Sequence, residues 1–369
     1  MVLLSTLLTL IQSSPTQEQQ QLFKPRFTLH KHTSVVNCVS FSPDGKQLYT
    51  AGRDAKLNIW NLKNGQLQIT RRDHTDSIDF IVVSPTKTQF LTGARDGTLK
   101  FWKTKDASLK HTLSHFIKAK GPHFVGPLSF SPNGKFVVST GRDHSELIIW
   151  NARTYQQVRR ITVERDFLPY ATFHPATFSP DSASLVGTSG KKSINFWNIA
   201  TGKVTKSIAS NSKIQDLGFS PDGTLFMVQS DELTIYNSKS VQKQLSIPNM
   251  KEASNLCFSA DSHKFVIDTQ NQAEVWDTHS GKQLNTLKGH TDLITCIAFS
   301  PDNQYIATGS EDQTVKIWSA TTGNLVQTLH STGYGVNALT FSPDGLTLAA
   351  GVFSGKVAIW QRQPNNLTP

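Results

Sequence analysis

A short phrase of the type Phe-Ser-Pro-Asp-Gly returns along this chain, and a sequence built from one recurring unit can only stack its units or close them into a ring. The first residue of the phrase falls at Phe41, Val83, Phe130, Phe178, Phe219, Phe258, Phe299 and Phe341. Each is followed 17 to 20 residues later by an aromatic residue: Trp60, Trp102, Trp150, Trp197, Tyr236, Trp276, Trp318 and Trp360. With anchors 39 to 48 residues apart, the chain contains eight units. In the clearest unit apolar residues alternate before the phrase (Ile294, Cys296 or Ile297, Phe299) and again before the tryptophan (Val315, Ile317), the period of short strands. Turn residues separate them: Pro43-Asp44-Gly45, Pro221-Asp222-Gly223 and Pro343-Asp344-Gly345 after the first strand, and Asn64-Gly65, Thr201-Gly202, Ser280-Gly281 and Thr322-Gly323 before the last. Each unit therefore reads as a four-stranded antiparallel meander. One meander cannot bury both of its faces, whereas meanders arranged radially bury each other, so the predicted fold is an all-β propeller.

The unit resembles the WD40 repeat, and the resemblance covers residues 26 to 362. It departs from the family pattern in having one literal Trp-Asp pair, Trp276-Asp277, and one Gly-His pair, Gly289-His290. After Trp360 too few residues follow for a fourth strand in the eighth unit, while Arg26-Phe27-Thr28-Leu29 matches the fourth-strand phrase Leu284 to Leu287. The N-terminal strand is therefore expected to complete the last blade, as the resemblance implies, which removes two open edges. The expectation is eight blades, although seven is the commoner number in the family. Residues 1–21 read as an apolar and Gln-rich tail, 22–362 as the propeller and 363–369 as a C-terminal tail.

Among 369 residues, 37% are hydrophobic and 17% charged, the balance of a folded domain. The apolar run Val2 to Ile11 is too short to span a membrane. It has the apolar character of a signal segment, but no basic residue precedes it and no small-residue cleavage site follows, so a cytoplasmic location is favoured over export. Cys38, Cys257 and Cys296 each lie within three residues before an anchor position, which suits packing rather than redox chemistry.

Three units carry His, Thr, Asp and Trp at identical offsets: His32, Thr50, Asp54, Trp60; His74, Thr92, Asp96, Trp102; and His290, Thr308, Asp312, Trp318. Imidazole, hydroxyl and carboxylate together suggest a catalytic triad. Their repetition in register argues for a scaffold, because an enzyme needs one nucleophile in one pocket. In WD40 proteins the corresponding residues form a buried hydrogen-bond chain, and that is the expected role here. The other units break the pattern. Unit three keeps Ser139, Asp143 and Trp150 but has Gly121 at the histidine offset, with His115 and His123 out of phase. Lys191 and Tyr236 replace Asp and Trp in units four and five, and Gln270 and Ser354 replace Asp in units six and eight. No phosphate-binding loop, zinc motif or nucleophile elbow occurs. Neither a catalytic residue nor a metal, cofactor or small-molecule substrate is expected.

The net charge of +10 is unevenly placed: residues 24–206 hold 27 Lys and Arg against 12 Asp and Glu, and residues 207–369 hold 10 against 14. Arg53, Arg95 and Arg142 occupy the position just before the tetrad aspartate in three consecutive units, where unit seven has Glu311. In WD40 proteins that position resembles one on the face used for partner binding. Two long connections lead to the same face, one with Phe116, Lys118, Lys120 and Phe124, the other with Arg165, Phe167 and Tyr170. The expected function is a non-enzymatic scaffold for protein-protein interaction that engages an acidic or phosphorylated partner through a basic face on blades 1 to 3. The alternative is a propeller that holds nucleic acid or another polyanion on the same basic half.

Overall fold

The computed structural model describes residues 21–114, 125–141, 146–163, 176–190, 192–250, 253 and 255–364. They form eight four-stranded antiparallel sheets. Blade 1 consists of Val36–Phe41, Gln47–Gly52, Leu57–Asn61 and Gln66–Arg71, in that order from the centre outward. Blades 2 to 7 repeat this order. In blade 8 the strand outside Lys356–Arg362 is Phe23–His30, which pairs with it antiparallel from Phe23 opposite Arg362 to His30 opposite Lys356. The predicted closure of the ring by the N-terminal strand is therefore what the chain adopts.

The core lies between the blades. Buried apolar side chains fall into eight clusters, one at each junction of neighbouring sheets. Strand periodicity explains this, because successive residues point to opposite faces. On blade 3, Val137 and Ile148 pack toward blade 2, while Val138 and Ile149 pack toward blade 4. Every tryptophan packs toward the blade before it, as Trp318 does against Val266 and Val275. At each turn between the third and fourth strands the chain bends back tightly. Gly65, at φ +72°, lies so close to the Phe27 ring that a Cβ there would sit 2.7 Å from it, which brings the closing strand against blade 1.

The blades are not equal. The innermost strands of blades 5 and 6, Asp216–Phe219 and Leu256–Phe258, are half to two-thirds the length of the six-residue ones in blades 1, 2, 3, 7 and 8, and in blade 4 the innermost strand is described over Ala176–Phe178. All five of the longer ones have a register shift after the first residue; in blades 1, 2, 7 and 8 it drops a single residue, Asn37, Asp79, Thr295 or Asn337, out of the ladder, and in blade 3 it follows Val125. A bulge re-aims the residue it displaces. Here three of the four reach the next blade. Asn37 Nδ2 donates to Ile78 O at 3.1 Å, Thr295 Oγ1 to Val336 O at 2.6 Å and Asn337 Nδ2 to Val36 O at 2.9 Å.

Candidate functional site

Strand direction defines two ends of the ring. One end carries the connections between blades and the turns between second and third strands; the other carries the two hairpin turns of each blade. The three tetrads, with Arg53 and Arg95 before the aspartates of the first two, belong to the first end.

In blade 7 the Trp318 indole donates to Thr308 Oγ1 at 2.8 Å, Thr308 Oγ1 lies 2.7 Å from His290 Nε2, and His290 Nδ1 lies 2.7 Å from Asp312 Oδ2. Blades 1 and 2 repeat the chain through Trp60, Thr50, His32, Asp54 and Trp102, Thr92, His74, Asp96, with every link at 2.8 or 2.9 Å. One proton assignment satisfies all members. The carboxylate accepts a hydrogen bond from Nδ1–H, so Nε2 accepts from the threonine hydroxyl, whose oxygen accepts from the indole. Each aspartate also accepts main-chain N–H groups, Thr33 and Lys56 in blade 1.

The electrostatics follow from this geometry. Burial opposes ionisation of Asp54, but the hydrogen bond and charge of His32 and the two amides outweigh it and hold its pKa at about 2. Asp96 and Asp312 are depressed by the same opposed effects. For His290 burial dominates the pull of Asp312 and lowers its pKa, which favours the neutral ring that the chain requires. With its imidazole 1% exposed and the hydroxyl spent on the ring, the set presents no nucleophile to solvent.

The sequence reading did not single out the residue two before each tetrad tryptophan. Lys100 and Lys316 are buried there, and donate to Thr112 and Thr328 on the outer strand at 3.2 and 3.1 Å. In blade 1 Asn58 contacts His32 Nε2 at 3.0 Å and accepts from Thr70. The recurring Lys-x-Trp or Asn-x-Trp, with threonine 12 residues on, was the available signal. In blade 8 the tetrad offsets hold Thr332, Ala350, Ser354 and Trp360, and the hydroxyls of Thr332 and Ser354 are buried without a hydrogen-bond partner. In blade 3 Trp150 Nε1 donates to Ser139 Oγ at 2.8 Å, the same first link.

Arg53 and Arg95 occupy equivalent places, each main-chain N–H closing onto the connection into its blade, at Val35 O and Ser77 O. Their side chains differ. Arg53 is exposed, with no ion pair among the described residues, while Arg95 Nε donates to Asp79 Oδ2 at 2.7 Å. Asp79 is the bulged residue of blade 2, so this pair takes the place of the inter-blade bond made by Asn37. Arg142, Phe116, Lys118, Lys120, Phe124, Arg165, Phe167 and Tyr170 lie outside the described residues, as do Asp143, Lys191, Gly121, His115 and His123. Part of the basic excess is spent on holding blades together: Arg71 donates to Ala107 O and Arg159 to Ile199 O, each on the next blade.

The cysteines have free thiols packed among core residues, and burial pushes all three upward in pKa, Cys296 to about 12. Among the described residues no group of His, Cys, Asp and Glu could hold a metal ion, and no helix is long and apolar enough to cross a membrane.

Comparison with known proteins gives one consistent family. The WD40 family model, described as WD domain, G-beta repeat, matches residues 23–61, 65–103, 281–319 and 323–361. The first three segments contain the three complete tetrads. The chain is 25% identical over 300 residues to the WD repeat-containing protein WDS homolog of Arabidopsis thaliana, across 79% of this chain and 48% of that protein. It is 31% identical over 142 residues to THO complex subunit 3 of Arabidopsis thaliana, across 37% and 45%. With the serine-threonine kinase receptor-associated protein of Bos taurus it shares 25% identity over 201 residues, across 53% and 54%. The chain thus spans about half the length of these relatives. The crystal structure of the computationally designed Ika8 protein shares the fold, with a TM-score of 0.75 at 22% identity, covering 90% of this chain and 98% of that one. Eight blades closed by the N-terminal strand, tetrads in register and four matched repeats make this chain a member of the WD40-repeat family.

Proposed function

We propose that the chain is a non-enzymatic scaffold that docks a protein partner, acidic or phosphorylated, on the basic end of blades 1 to 3. The WD40 family is one of interaction scaffolds and regulators, and the THO relative carries a complex in its name, which supports the general role. The observation that carries the particular face is Arg53, an exposed guanidinium with no ion pair among the described residues, beside blade 2, whose Arg95 is held in place by Asp79. An exposed guanidinium can form two parallel hydrogen bonds to a carboxylate or phosphate. The absence of an exposed nucleophile in the tetrads supports a binding role over a catalytic one.

The test compares proteins retained from nuclease-treated lysate by the wild type and by Arg53→Glu/Arg95→Gln/Arg142→Glu. Glutamine is chosen at 95 because a carboxylate would face Asp79. A partner lost from the variant alone supports the basic end as the docking surface. Identical partner sets remove it, and material lost on nuclease treatment favours the polyanion reading.

A further inference from the structure

We infer that a cationic groove at the opposite end of the ring, across the closure between blades 8, 1 and 2, binds an acidic peptide segment. This site is separate from the Arg53 end and does not rest on it.

The groove has a volume of about 890 Å³, within the size of ordinary ligand sites. Five cations line it: Arg26 on the closing strand, Lys46 and Lys63 on the hairpin turns of blade 1, and Lys87 and Lys105 on those of blade 2. Two carboxylates line it as well, and both are occupied by their own turns. Asp44 accepts from Ser42 Oγ at 2.6 Å and the Lys46 amide at 3.1 Å, and Asp344 accepts from Ser342 Oγ and the Leu346 amide at 3.0 Å. The four lysines are exposed and none is in an ion pair with another described residue. Arg26 is preset, its Nη1 2.7 Å from Gln361 Oε1 and its guanidinium over the Phe27 ring at 5.0 Å. Such a surplus attracts anions until salt screens it.

The backbone at Lys87 fixes where its ammonium stands. Its φ is +60°, at the turn position where blades 1, 3, 5 and 8 place Gly45, Gly134, Gly223 and Gly345 at φ of 68 to 71° and blades 4, 6 and 7 place Ser182, Ser262 and Asn303 at 58 to 63°. A Cβ is disfavoured in that region, so glycine there should fold no worse than lysine. Blade 2 is the one blade that puts a cation at this position, at the wall of the groove.

The lining also selects among anions. Among the described residues it contains no aromatic ring on which a base could stack, which disfavours single-stranded nucleic acid. It does contain the amides of Asn61 and Gln68, whose oxygens accept from the Lys63 amide and Gln47 Nε2 and whose NH2 groups can donate to a peptide main chain while the lysines meet its carboxylates.

The experiment is fluorescence anisotropy of the full chain with a labelled octaglutamate peptide, an octaglutamine control and a single-stranded oligothymidylate, at about 50 and about 300 mM salt. The wild type should bind octaglutamate, weaken at the higher salt and ignore octaglutamine. Lys87→Gly should weaken binding about threefold while its Tm does not fall, so that lost affinity cannot be put down to lost folding. Lys46→Glu/Lys63→Glu/Lys105→Glu should weaken it by roughly thirtyfold or more, and Lys282→Glu, at an exposed lysine on a hairpin turn of blade 6 at the same end of the ring, should leave it unchanged. Equal affinity for octaglutamate and octaglutamine, or unchanged binding in both lysine variants, would overturn the proposal. So would tighter binding of the oligothymidylate, which would assign the groove to nucleic acid.

Discussion

Asn337 Nδ2 donates to the main-chain carbonyl of Val36 at 2.9 Å, across the join between the last blade and the first. Asn337 is displaced by a bulge, and Val36 begins the innermost strand of blade 1. The ring is thus closed twice. At its rim the closing strand completes blade 8, and Gln327 of blade 7 grips Phe23 reciprocally, Nε2 to O and Oε1 from N, both at 2.8 Å. At its centre the amide of Asn337 ties blade 8 to blade 1.

Replacing Asn337 with Leu removes the central tie and leaves the Val36 carbonyl without that donor, at a cost of about 1–2 kcal/mol. Thermal and urea unfolding of Asn337→Leu should show the loss. A midpoint equal to that of the wild type would mean that the rim alone closes the ring.

The tetrads predict an asymmetric pair of results. Thr308→Val keeps the shape of the side chain but strands the Trp318 indole and His290 Nε2 in the core, costing about 2–4 kcal/mol. In blade 8, Thr332→His/Ala350→Thr/Ser354→Asp supplies partners where Thr332 and Ser354 now hold orphaned hydroxyls, and should raise stability by about 1 kcal/mol. Calorimetry on both variants decides; a destabilised blade 8 variant would show that the site has repacked around its smaller residues.

Stability should fall on the acid side in two stages. His290 has a lowered pKa in the folded state, so its contribution is complete above the unfolded value of about 6.5 and is lost as pH falls toward the folded one. Asp54, Asp96 and Asp312 are depressed, so their contributions hold above an unfolded value of about 3.9 and are lost as pH falls through the folded values, about 2 for Asp54. A Tm series from neutral pH downward should begin to drop near the first window, and His290→Gln should flatten that part alone. An unchanged slope in the variant would assign the first stage to other groups.

Hydrogen exchange should begin in blades 4 to 6. No complete tetrad braces them among the described residues, and the innermost strands of blades 5 and 6 are shorter than the six-residue ones of blades 1, 2, 3, 7 and 8. Exchange at Ala176–Phe178, Asp216–Phe219 and Leu256–Phe258 should precede that at Val36–Phe41 and Ile294–Phe299. Uniform protection around the ring would show that packing between blades, rather than tetrads or strand length, sets local stability.

Blade number, strand order, the closing strand and the tetrad members were legible in one dimension because each is written within a single unit, where turn chemistry and alternation act over a few residues. Recurrence at one spacing made eight weak signals into a strong one. The links between units were not legible. Asn37, Thr295 and Asn337 look like ordinary strand residues until a bulge turns them toward a neighbour, in one case 301 residues away. Arg53 and Arg95 match in phase, yet only blade 2 puts a carboxylate, Asp79, within reach of its arginine. The cationic groove draws Arg26, Lys46, Lys63, Lys87 and Lys105 from three blades that meet only once the ring closes. Local backbone preference determines the blade, whereas which charges are neutralised and which remain free depends on what the adjoining blade brings to the junction.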